Sequence, residues 1–307
     1  MKSCCIYYWD NGVGVKVDVQ LIKSCLSCKF LCKIFDFSFI ENDHENFFNT
    51  NINSKFDIGI FNQNYDLSLL DNNRINVYIC NEEWLGTESL EDLSNFDHII
   101  VKSKFAKKQI QHLHKNVTCL YFWSRDLFDH NNYINNKVLH FAGKSIQKNT
   151  ECLLNNENII IFDSNSRFKD VRNINYHTNY VSTNKLERIF NLCNTHVCPS
   201  LYEAHGHYMF EGLLCNKNVI ASRLPVWEEQ LDPDILSFVD VEEKEDSMYD
   251  FLSTENMERF TFRKGYFVNI DQLDSLLFET PKEQPRLFVE NLFYSNQKAF
   301  INFFQSL

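Results

Sequence analysis

Residues His196–Ser222 read HVCPSLYEAHGHYMFEGLLCNKNVIAS, the strongest fold signal in the chain. His196-Val197-Cys198 is a short apolar strand. A polar loop follows, Tyr208 to Cys215 carries a helix, and Asn218-Val219-Ile220-Ala221 is the next strand. A strand, a crossover helix and another strand in so short a span form the repeating unit of a parallel α/β sheet. Glu203 falls in the loop before the helix and Glu211 about one turn inside it, so both acids can face one crevice. Gly206 permits close backbone approach at the helix start, where N–H groups and the helix dipole favour an anion.

The alternation continues in both directions. Upstream, Cys5-Ile6-Tyr7-Tyr8-Trp9, Phe56 to Ile60, Asn76 to Cys80, His98 to Val101 and Val117 to Tyr121 read as strands. Val17 to Phe30 and Ser103 to His114 have helical spacing. Nearer the starting stretch, Val138 to Ala142 is a strand ending at Gly143-Lys144, Ile159 to Phe162 is another, and Asn184 to Asn194 is a helix. Ile235 to Val239 follows as a strand, and Pro285 to Leu307 as one or two packed helices. The expectation is an α/β chain of two doubly wound, Rossmann-like parallel sheets, with ligands bound beyond the strand C-termini in a cleft the two sheets face. The polar run Asp129 to Asn136 breaks the pattern and reads as the linker. It divides the chain into residues 1–134, 135–284 and a C-terminal helical segment 285–307, whose return to the first domain stays open.

With its Pro199-Ser200 loop, Glu203, the turn at Gly206, Glu211 eight positions on, and the Val-Ile-Ala strand, the central stretch resembles glycosyltransferase family 4 and its GT-B relatives. The resemblance implies that Glu203 contacts the donor sugar and Glu211 holds the nucleotide ribose. It places backbone N–H groups around His205, Gly206 and His207 at the donor sugar or its phosphate. The chain departs from the family pattern at Ala204, His205 and His207-Tyr208, positions that bear on sugar specificity.

Leu139 to Thr150 carries a second signal: Gly143 ends a strand, and Lys144 and Lys148 follow in a short loop. The same family has cations here that grip the donor diphosphate. Such a leaving group develops negative charge, and two lysines can stabilise it without a metal. Asn11-Gly12-Val13-Gly14 is a turn after the first strand. GT-B enzymes often carry a glycine-rich turn there that approaches the donor phosphate or the acceptor, so the resemblance adds Gly12 and Gly14 to Gly143 as expected donor contacts. A dinucleotide fingerprint is incomplete, because Val17 fills the place of its third glycine. Glu82, Glu83 and Trp84 follow the strand ending at Cys80; they read equally as acceptor-binding residues or as a helix start with a packed Trp.

The formal charge of −11 argues against nucleic acid as partner. No apolar run is long enough to span a membrane, so membrane contact is at most peripheral, through the lysine stripe from Lys104 to Lys115. The N-terminus enters a strand without a signal peptide, and eleven cysteines then point to free thiols and the cytoplasm. Cys25, Cys28 and Cys32 are expected on one apolar helix face rather than around zinc. His205 and His207 lack a third ligand, and Asp232-Pro233-Asp234 reads as a turn. No metal and no cofactor is expected. The implied activity is transfer of a sugar from a nucleotide-sugar donor to a glycan, lipid or protein acceptor, with retention of configuration and with Glu203, Lys144 and Lys148 as catalytic residues. An inverting transferase, a sugar-nucleotide epimerase and a non-catalytic nucleotide- or sugar-binding module are the rival readings.

Overall fold

The computed structural model describes residues 1–10, 13–38, 55–86, 89–127, 135–143, 145–164, 168, 175–178, 181, 183–191, 193–244, 264–277, 282 and 285–307. The chain divides into two compact units. Met1–Ser124 and Phe293–Leu307 belong to the first, Arg125–Met257 and Arg263–Leu292 to the second.

The first unit contains β1 (Ser3–Tyr8), α1 (Val13–Leu26), β2 (Leu31–Asp36), β3 (Phe56–Asn62), β4 (Asn73–Cys80), β5 (His98–Val101), α2 (Lys104–Ile110) and β6 (Val117–Cys119). All six strands are parallel, in the order β2-β1-β3-β4-β5-β6. Helix α1 buries Val15, Val19, Ile22 and Leu26, whose three- and four-residue steps put them on one face. Helix α2 starts at Ser103, whose hydroxyl accepts the Ala106 N–H at 2.9 Å, and it buries Ala106 and Ile110. Strand β3 is buried along nearly its whole length, as expected of a parallel strand covered on both faces. Tyr7 stacks on Phe61 at 4.6 Å in this core. Lys102 and Asp18 form a buried ion pair at 2.7 Å, with the ammonium 4.3 Å above the Phe122 ring.

The helix expected over Val17 to Phe30 begins and ends four residues earlier. Cys28 therefore sits in an exposed turn and Cys32 in β2, so the three cysteines do not share a helix face. Strand β2 lies at the sheet edge and is only partly buried, which leaves it without the apolar run that marks its neighbours.

The second unit contains β7 (Asn135–Gly143), β8 (Ile159–Asp163), β9 (Tyr176–His177), α3 (Thr183–Phe190), β10 (Cys193–Cys198), α4 (His207–Leu214), β11 (Asn218–Ser222), α5 (Pro225–Glu228) and β12 (Ser237–Val239). The antiparallel pair β13 (Val241–Lys244) and β14 (Gly265–Val268), α6 (Ile270–Leu276) and α7 (Pro285–Ser306) follow. The six-stranded sheet is again parallel, in the order β12-β11-β10-β7-β8-β9. Helix α7 is one continuous helix. Within the second unit Arg286 pairs with Asp126 at 2.5 Å and donates to the Leu214 carbonyl at 2.6 Å. Within the first, Phe300 and Phe304 are buried and the Asn296 amide donates to the Phe122 carbonyl at 2.9 Å. Among the described residues no helix is long and apolar enough to cross a membrane. The linker expected over Asp129 to Asn136 falls, up to residue 134, outside the described residues.

Candidate active site

Strands β7 and β10 are hydrogen-bonded neighbours, with Leu139 opposite His196. From this pair the chain runs outward in opposite directions, to β8 and β9 on one side and to β11 and β12 on the other. The loops after β7 and β10 therefore leave the sheet side by side at its C-terminal edge, the position where open α/β sheets bind ligands. The loop after β7 begins at Gly143, whose φ of +61° is left-handed, and continues through a short helical turn, Ile146–Lys148. The loop after β10 carries Pro199 to Gly206. The Leu201 N–H donates to the Gln147 carbonyl at 2.8 Å and ties the two loops together.

This tie brings Lys148 and Glu203 into contact. The ammonium pairs with Oε1 of a carboxylate that is only 5% exposed. Ser200 donates to the same oxygen at 2.7 Å. The Tyr208 hydroxyl lies 2.6 Å from that of Ser200. Because the Ser200 proton points to Glu203, the Tyr208 O–H donates to Ser200. Burial holds the Tyr208 phenol well above its ordinary pKa, so it keeps the proton this chain requires. Gln147 Nε2 reaches Glu203 Oε2 at 3.5 Å, and the Lys148 ammonium sits 4.0 Å above the Tyr208 ring. The result is an anchored carboxylate and an ammonium on the edge of the sheet, with positions set by groups from both loops and from α4.

Gly206 precedes α4 with φ +82° and ψ +61°, a conformation that L side chains rarely adopt. Trp227 lies against it, fully buried, and donates its indole N–H to the His205 carbonyl at 2.8 Å. The His205 ring stacks on Phe210 at 4.6 Å and meets His207 edge-on at 4.9 Å. One turn into α4, Glu211 accepts from Arg125 Nε at 2.5 Å; the carboxylate side chain is 4% exposed and the guanidinium 23%.

The structure thus joins Lys148 to Glu203, places Gly143 at the start of the loop that carries Lys148, and pairs Glu211 with Arg125, all in the second unit. Lys144 and Gly12 lie outside the described residues. Gly14 is in the first turn of α1, and Glu82, Glu83 and Trp84 form a short turn after β4, with both acids buried and Trp84 exposed. These three residues and Gly14 belong to the first unit. Asp232 caps the Asp234 N–H at 2.9 Å in an exposed turn. Among the described residues no three His, Cys, Asp or Glu side chains converge in a way that could hold a metal. The partners of Glu203 in Ser200, Tyr208 and Gln147, and of Glu211 in Arg125, were not assigned from the sequence. Ser200 and Tyr208 stand three and five residues from Glu203, a spacing without meaning until the loop is folded.

No family model and no curated protein matches the chain by sequence. Solved structures do match. Sucrose-phosphate synthase from Thermosynechococcus elongatus has a TM-score of 0.68 at 11% identity, over 99% of this chain and 99% of that one. Anabaena HepE in complex with UDP and glucose has a TM-score of 0.65 at 11% identity, over 99% and 100%. WaaG, a glycosyltransferase involved in lipopolysaccharide biosynthesis, has a TM-score of 0.59 at 10% identity, over 98% of each chain. The chain has the GT-B fold of these glycosyltransferases.

Proposed function

We propose that this protein is a glycosyltransferase that moves a sugar from a nucleoside-diphosphate sugar to a hydroxyl-bearing acceptor with retention of configuration. The observation that carries the reading is the pairing of Lys148 with the buried Glu203 carboxylate at the β7/β10 edge, in a fold shared with sugar-transferring enzymes. A UDP-sugar is the first donor to test, because HepE is a structural neighbour in complex with UDP and glucose.

Bond breaking at the anomeric carbon leaves positive charge on the sugar and negative charge on the departing diphosphate, as in other glycosyl transfers. Lys148 and Lys144 stabilise that negative charge, together with N–H groups at the start of α4 around Gly206 and His207. Glu203, anchored by Ser200, orients the sugar hydroxyls. Glu211, positioned by Arg125, takes the ribose hydroxyls. The departing phosphate accepts the acceptor's proton, and no metal is required. Glu82, Glu83 and Trp84 are assigned to the acceptor.

The test is nucleotide release across a panel of nucleotide sugars, with and without a chelator. Glu203→Ala and Lys144→Ala each lower turnover by at least ~10²-fold, the loss expected for a transition-state contact. Near-normal turnover in either variant removes the site assignment. An inverted anomeric product by NMR rejects retention, and chelator-sensitive turnover rejects a metal-free mechanism.

A further inference from the structure

Strand β2 pairs with β1 at the edge of the first sheet, and Cys4 and Cys32 are register partners across that pair. Parallel register partners project to the same face, and here the two sulfurs are 3.1 Å apart. Cys4 is completely buried, whereas Cys32 is partly exposed. We propose that Cys4 and Cys32 form a reversible disulfide when the protein meets a small-molecule disulfide such as oxidised glutathione, linking the edge strand covalently to β1.

The geometry is close to that of the bond. Closing it requires the sulfurs to approach by about 1 Å, to ~2.05 Å. In-register parallel strands stand ~4.8 Å apart, wider than the ~3.8 Å between Cβ atoms that a relaxed disulfide prefers. The missing distance must come from strand movement. β2 can supply it, because β1 is its sole partner in the sheet of described strands. A bond closed in this way is readily reduced again, which makes it reversible rather than permanent.

The two thiols divide the chemistry between them. Cys32 accepts the Cys4 S–H, which pulls its pKa down to about 7 against the opposing effect of burial; Ser27 and Lys23 assist. The same hydrogen bond, with burial, pushes Cys4 upward. Cys32 thus attacks as the thiolate: it bonds to one glutathione sulfur, the glutathione disulfide breaks, and one glutathione thiolate leaves and takes a proton from solvent. The Cys4 sulfur then attacks Cys32 and expels the second glutathione thiolate, which receives the Cys4 proton. Two protein thiols and one glutathione disulfide give one protein disulfide and two glutathione thiols. The crosslink closes around the β1–α1–β2 crossover.

Cys25 is the competitor. Burial raises its thiol to about 12, and the neighbouring Cys28 and Cys32 oppose its ionisation further, so it is the poorer nucleophile.

The test uses the full chain in glutathione redox buffers, followed by acid quench, alkylation and tryptic mapping. Cleavage after Lys16, Lys23, Lys29 and Lys33 places Cys4, the Cys25/Cys28 pair and Cys32 on three separate peptides. The expected product is the Cys4 peptide joined to the Cys32 peptide, with fragmentation assigning the link to Cys4 rather than Cys5. It is reversed by dithiothreitol, persists in Cys25→Ser and disappears in Cys32→Ser. A main product that links Cys25 or Cys28 overturns the proposal. So does full alkylation of Cys4 after oxidation and unfolding. The wild-type map decides the matter even if a variant fails to fold.

Discussion

Replacing Gly206 by alanine tests how rigidly the loop before α4 is held. Two costs add. At φ +82° a Cβ meets its own backbone, worth roughly 1–2 kcal/mol in the left-handed region. The new methyl would also stand 2.6 Å from Trp227 Cζ2 and 3.0 Å from Nε1, far inside the ~3.5–4.0 Å of ordinary carbon contact. Trp227 cannot swing aside cheaply, since it is fully buried and hydrogen-bonded to the carbonyl of residue 205. Overpacking of this kind costs about 1–3 kcal/mol. The sum is about 2–5 kcal/mol. Gly143 supplies the internal control: its φ is +61°, but a Cβ there meets nothing within 4 Å, so Gly143→Ala carries only the first cost. Equilibrium urea denaturation followed by circular dichroism measures both variants. In a Trp227→Phe background, which removes the colliding benzo-ring atoms, Gly206→Ala should cost no more than Gly143→Ala. Equal costs at the two glycines in the wild-type background would mean that the indole yields and that the loop is not rigidly held.

Two further outcomes concern buried charge. Lys102→Met removes the cation 2.7 Å from the Asp18 carboxylate, whose side chain is 4% exposed, and should destabilise by about 3–5 kcal/mol; Asp18→Asn with Lys102→Met should recover much of it, and strict additivity would count against a coupled pair. Burial holds the His196 imidazole neutral, with its pKa lowered from 6.5 to about 3, against a 2.9 Å hydrogen bond to the Phe190 carbonyl that favours the charged form. Between those two values the unfolded chain takes up a proton that the folded chain refuses, so stability is intact above pH 6.5 and falls below it. From pH 7 to pH 5 this one group should remove about 2 kcal/mol. The pH slope of the denaturation free energy should flatten in His196→Leu, and an unchanged slope would show that His196 is not the group responsible.

The class of fold was legible because its signals are local. Alternating apolar strands and amphipathic helices marked both sheets, and His196 to Ala221 displayed one crossover in full. Local pattern misleads at two places in the first unit. Leu31–Asp36 is an edge strand with weak apolar alternation, and the run of cysteines carried the helix past Leu26, where it ends. Individual residues of the candidate site were conspicuous as types: a Glu before a helix, a Gly at its start, lysines after a strand. Their partnerships were not. Lys148 and Glu203 are 55 positions apart, and Arg125 and Glu211 are 86 apart. The order of strands in the sheet, with β7 beside β10, is what places the first pair together. That order arises from packing between distant segments, which periodicity along the chain does not encode. Local pattern marks most of the elements and the side chains able to do chemistry; which of those side chains meet follows only from the folded sheet, because strand pairing is a contact between residues far apart in the chain.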